Sequence, residues 1–66
     1  MHAVWTDLGE FLAARVNAYD ARVYPFAELG GLWRWEVRLG DALLWAGCAG
    51  SEDSACDFAY EYMRDE

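Results

Sequence analysis

Between Gly31 and Gly40 the chain reads Leu32-Trp33-Arg34-Trp35-Glu36-Val37-Arg38-Leu39, in which Trp33, Trp35, Val37 and Leu39 alternate with Arg34, Glu36 and Arg38. A period of two places successive side chains on opposite sides of an extended strand, so this segment predicts one buried and one wet face. The glycine marks Gly30-Gly31 and Gly40-Asp41 can supply the positive φ angles of two-residue hairpin turns. The stretch from Ala21 to Ala49 therefore reads as a three-stranded antiparallel meander. Its first strand, around Arg22 to Leu29, contains Pro25, which cannot donate to a ladder, so the strand belongs at an edge or is partly irregular. Its third, Ala42 to Cys48, is apolar on both faces, so its outer side is either covered or part of a contact surface.

Helices are expected on both sides of the meander. Asp7 with Glu10 three residues on fits an acidic capping box, and Leu8, Phe11, Leu12, Val16 and Tyr19 recur at spacings of three and four, which predicts a helix to about Asp20. Tyr24-Pro25 cannot continue it. After Gly50, Ser51 or Ser54 is a suitable N-cap, Glu52 and Asp53 suit the positive end of a helix dipole, and Ala55, Phe58, Ala59, Tyr62 and Met63 form an inward stripe. The expected fold is α+β, in the order αβββα: a three-stranded antiparallel sheet with two helices packed on one face. At 66 residues this is one domain, 1–66, near the lower limit for independent folding. Trp5, Trp33, Trp35 and Trp45 are read as core, because so small an interior needs large side chains.

Charge narrows the function classes. Twelve acids face five arginines and no lysine, a net charge of −7, whereas direct binding of nucleic acid or of an anionic membrane needs a basic surface. The partner expected is basic or neutral. The longest uncharged stretch, Ala42 to Ser51, is too short to span a bilayer, and the first residues show no secretory signal pattern, so a cytoplasmic location is expected. Ile and Gln are missing along with Lys, while Ala, Arg, Gly and Asp are plentiful, a bias that fits a GC-rich bacterial or phage genome.

Catalytic chemistry has little to build on. The one histidine, His2, sits at a terminus, a poor base for a nucleophile at Cys48 or Cys56. The two cysteines match no zinc or redox spacing and are read as buried free thiols. The chain has no phosphate-cradling glycine motif and no calcium-loop pattern, so no cofactor, metal site or enzymatic activity is expected.

The feature left over is an acidic stripe. Asp53, Asp57, Glu61 and Asp65 recur every fourth residue on the last helix, with Glu52 beside them. Like charges at that spacing destabilise a helix by roughly 0.2–0.5 kcal/mol per pair. With a rise of about 1.5 Å per residue, carboxylates stand about every 6 Å, a spacing close to that of phosphates along a nucleic-acid strand. The stripe can thus imitate a short run of DNA backbone. The plain alternative is a solubilising acidic face with no partner.

The hairpin Leu32-Trp33-Arg34-Trp35-Glu36-Val37-Arg38-Leu39 and Ala42-Leu43-Leu44-Trp45-Ala46-Gly47, followed by the acidic helix from Ser51-Glu52-Asp53-Ser54-Ala55, is similar to a module of the small phage-encoded anti-CRISPR proteins that inhibit type I effector complexes. The resemblance lies in size, acidity and layout and covers about half the chain. It implies a stoichiometric inhibitor in the bacterial host cell that docks Glu52, Asp53, Asp57, Glu61 and Asp65 on a basic DNA-binding groove and excludes target DNA. The five arginines weaken a DNA-mimic field and leave room for a binding mode dominated by apolar contacts at Leu44 and Trp45; the alternatives are an anti-restriction protein or other DNA mimic with a different victim, and a regulatory or antitoxin-like interaction module.

Overall fold

A computed structural model describes residues 4–26, 28 and 30–64. Its elements are β1 (Thr6–Asp7), β2 (Leu12–Val16), β3 (Tyr19–Phe26), β4 (Leu32–Leu39), β5 (Ala42–Ala49) and α1 (Glu52–Arg64). The strands form one antiparallel sheet in sequence order, β1-β2-β3-β4-β5. α1 packs across one face, chiefly on β3 and β4.

This corrects the αβββα expectation. The described residues form five strands and one helix, and the segment 7–20 expected as a first helix is β1, a loop, β2, a turn and the start of β3. Asp7 caps no helix: its Oδ1 accepts the Gly9 N–H at 2.8 Å, Gly9 takes φ 95°, and the Leu8 N–H donates to the Phe11 carbonyl at 2.9 Å. Together these close a β1–β2 hairpin. A second hairpin turns at Asn17-Ala18, with Asn17 at φ 58°, a left-handed conformation that asparagine tolerates better than most residues. Leu12, Val16 and Tyr19 do point toward α1, yet they do so as alternate residues of strands paired Leu12↔Val23, Ala14↔Ala21 and Val16↔Tyr19. Burying Ala14, Ala21 and Val23 under the helix outweighs the local helical pattern.

β3 is the central strand rather than an edge. Pro25 is tolerated because β2 reaches only as far as Val23, leaving no ladder on that side of β3 for a missing N–H to interrupt. The Gly40-Asp41 turn is as expected, and Leu44 is an extra residue in β5 where the register shifts between Val37↔Trp45 and Arg38↔Leu43.

The core lies between sheet and helix: Ala21, Val23, Trp35, Val37 and Ala49 from the strands meet Ala55, Ala59 and Met63. Small residues on both sides bring the helix close. Ser51 caps α1, its Oγ accepting the Ser54 N–H at 3.2 Å and its carbonyl the Ala55 N–H at 3.0 Å. At the far end Asn17 Nδ2 donates to the Met63 carbonyl at 3.3 Å, tying the last turn to the β2–β3 hairpin. Phe58 and Tyr62 were expected inside and are instead 47% and 41% exposed. They flank the buried stripe and stack on indoles, Trp35 to Phe58 at 6.2 Å and to Tyr62 at 5.2 Å, and Trp45 to Tyr62 at 5.2 Å. Trp35 is buried, whereas Trp5, Trp33 and Trp45 are half-buried around the core. Among the described residues no helix is long and apolar enough to cross a membrane.

Candidate functional site

The register sorts the charges onto two sides of the molecule. Arg15, Asp20 and Arg38 face one another across β2, β3 and β4, Arg22 stands opposite Glu36, and Tyr24 stands opposite Arg34. All lie on the face of the sheet that α1 does not cover. The helix side holds Ala14, Ala21, Val37 and Trp45 in the intervening row.

On the open face Glu36 is the hub. It accepts from Tyr24 Oη at 3.2 Å and Arg34 Nε at 3.3 Å and lies 3.6 Å from Arg38 Nη2. Arg34 and Arg38 thus both pair with the carboxylate of their own strand. Burial, then the Glu36 carboxylate, holds the Tyr24 phenol above its ordinary range, and the Arg34 guanidinium is raised chiefly by its bond to Glu36. The four sheet arginines are thereby kept away from α1, where Arg64 in the last turn is the one cation.

Along α1, Asp53, Asp57 and Glu61 are exposed at fourth-residue intervals on the side away from Ala55, Ala59 and Met63. Asp65 lies outside the described residues, as does His2. Glu52 is exposed beside the N-terminal end of this line. With Asp53, Asp57 and Asp7 it rims a cleft of about 500 Å³ between the start of the helix and the β1–β2 hairpin, walled by Trp5, Leu12 and Cys56. The acidic surface is therefore a line of carboxylates that widens at its N-terminal end into a groove with apolar walls. Such a groove suits a lysine or arginine side chain, whose stem needs apolar contact and whose head needs carboxylates. Among the described residues no three His, Cys, Asp or Glu side chains are placed to hold a metal ion.

Both cysteines are free, but neither is buried as expected. Cys48 is exposed beside Arg34 on the open face, while Cys56 is on the cleft side of α1. Burial first, then the carboxylates Glu52, Asp53 and Asp57, pushes the Cys56 thiol up to about 11, so it is a neutral thiol rather than a nucleophile at ordinary pH.

Sequence reasoning missed several contributors. Asp7 joins the groove only because a hairpin replaces the first helix. Phe58 and Tyr62 extend the helix side as exposed aromatic surface toward β5, an uncharged edge strand with Leu43 and Leu44 exposed. Arg15 shares the open face with Arg22, Arg34 and Arg38, a place on the sheet that the expected first helix would not have given it.

Comparison with protein-family models, with curated proteins and with solved structures finds no significant match to this chain.

Proposed function

We propose that this protein is a stoichiometric binding protein that docks its helix side onto a basic, DNA-binding surface of another protein and keeps nucleic acid off it, with a type I CRISPR effector complex as the target. The observation that carries this reading is the segregation of charge. Asp53, Asp57 and Glu61 stand exposed in line, Asp7 and Glu52 widen the acidic surface, and the four arginines that would neutralise it are on the opposite face of the sheet. A groove built for regularly spaced phosphates presents cations at a matching interval, and long-range attraction speeds encounter. The cleft beside Trp5 gives one partner side chain a place to be buried, which adds position to charge.

DNA binding by purified type I-C and I-F effector complexes, measured with and without the protein at two salt concentrations, tests this. Inhibition that weakens as salt rises is the expected result, since exposed charges are screened over a Debye length of about 8 Å at physiological ionic strength. No inhibition of either complex removes the CRISPR target.

A second reading, a regulatory interaction module held by apolar contacts, is favoured by one observation: Phe58 and Tyr62 are exposed on the helix side, toward the uncharged edge strand β5. It predicts complex formation that is insensitive to salt.

A further inference from the structure

We propose that the concavity on the open face of the sheet, beside the β1–β2 hairpin, is a binding site for a phosphate-type oxyanion carried on a small apolar body. The concavity measures about 500 Å³, within the range of small-ligand sites, and Arg15, Arg22, Arg38, Thr6, Phe11 and Asp20 line it. Three guanidinium groups thus face one carboxylate among its described lining residues.

Those cations have binding capacity left. Arg22 stands opposite Glu36, yet Glu36 is taken by Tyr24, Arg34 and Arg38. The Arg22 guanidinium instead lies 5.0 Å from the centre of the Phe11 ring, and no carboxylate of the described residues forms an ion pair with it. Arg38 holds Glu36 through Nη2 at 3.6 Å and keeps its Nε buried with no hydrogen-bond partner among the described residues. The Arg15–Asp20 pair, at 3.7 Å and largely exposed, is loose enough to yield.

The ligand class follows from these groups. Guanidinium forks match phosphate oxygens in pairs, and an arginine stacked on an aromatic ring is already oriented. Val4 and Leu8 form an apolar lip on the concavity and are 86% and 56% exposed, outside the core. They and Phe11 offer contact to an apolar group next to the anion. A long polyanion would meet the repulsion of the net charge of −7, whereas a small ligand samples only the local field of the arginines.

Titration of the chain with phenyl phosphate, inorganic phosphate and benzoate at fixed ionic strength, followed by amide chemical shifts, tests the site. The expected result is saturable binding with shifts confined to Thr6, Phe11, Arg15, Asp20, Arg22 and Arg38. Phenyl phosphate should bind about tenfold more tightly than inorganic phosphate, because only it reaches the apolar lip. R22Q and R38Q should each weaken it about tenfold, while R34Q, on the same face but outside the concavity, should leave it unchanged in a folded protein. Absence of saturable binding overturns the proposal, as does equal loss in R34Q, which would mean a diffuse field rather than a site. Benzoate binding as tightly as phenyl phosphate overturns the preference for phosphate. Because every probe acts on the face opposite α1, these outcomes are independent of the acidic-helix reading.

Discussion

The Trp35 indole lies directly over Gly47 on the neighbouring strand: a Cβ added at Gly47 would stand 2.7 Å from Trp35 Cζ2 and 2.9 Å from Cε2. The missing side chain lets the largest residue of the core lie down across β5 and meet Phe58 and Tyr62 of the helix on its other side. The helix side of the protein therefore rests on an indole that only glycine admits.

Replacing Gly47 with Ala forces that ring or β5 to move. Neither gives cheaply, since the indole is held by two stacked rings, and overpacking of this kind costs about 1–3 kcal/mol. Trp35→Ala should cost more, about 3–5 kcal/mol, comparable to the whole stability of so small a domain. Urea unfolding followed by fluorescence and circular dichroism measures both. A G47A protein as stable as the parent would show that the indole has room to shift.

The second prediction concerns the carboxylates of α1. Asp57→Lys with Glu61→Lys changes two exposed side chains that make no ion pair or hydrogen bond with any described residue, so the fold should persist and unfolding should move by less than about 1 kcal/mol. Inhibition of the basic partner should be lost. Full inhibition by the folded double variant would take the stripe out of the mechanism, whereas loss in Phe58→Ala alone would assign the contact to the aromatic flank.

Asn17 allows a sharper separation of terms. Its backbone is left-handed at φ 58° and its side chain donates to the Met63 carbonyl at the end of α1. Asn17→Gly keeps the conformation and loses the bond, with an expected cost of about 0.5–1.5 kcal/mol. Asn17→Ala loses both, adding about 1–2 kcal/mol of backbone strain. Equal stabilities for the two variants would mean that the turn relaxes.

How much of this was legible in the sequence depends on which residues carried the period. Trp33, Trp35 and Val37 are large and alternate strictly, so β4 could be read directly, and Ser51 with two acids behind it marked the start of α1. The N-terminal third was misread because the residues facing the helix there include Ala14 and Ala21, too small to register as an apolar face, while Leu8 and Phe11, which belong to a loop, completed a false helical stripe. Gly9 at positive φ and Asn17 in a two-residue turn were the local signals against a helix. The error reached the site: the exposed line Asp53, Asp57, Glu61 was readable from helical spacing alone, but Asp7 in the cleft, and Arg15 and Arg22 on the open face, depend on strand register that pairs residues far apart in sequence.

The last prediction follows from the Cys56 thiol. Its pKa is raised from 9.0 to about 11 by burial and by the carboxylates of α1. In the unfolded chain the thiolate forms near the ordinary value, so in alkali the unfolded state releases a proton that the folded state retains. Its contribution to stability is therefore fully present below pH about 9 and lost progressively as pH rises toward about 11. Tyr24, also raised, adds loss in the same direction from above its ordinary value of 10.0. The cysteine part is isolated by comparing the parent with Cys56→Ala: the stability difference between them should shrink from pH 8 to pH 11, as measured by urea midpoints. At pH 8 a thiol reagent should modify exposed Cys48 rapidly and the half-buried, neutral Cys56 more slowly. Equal rapid labelling of both cysteines in the folded protein would mean that the Cys56 thiol is not held neutral.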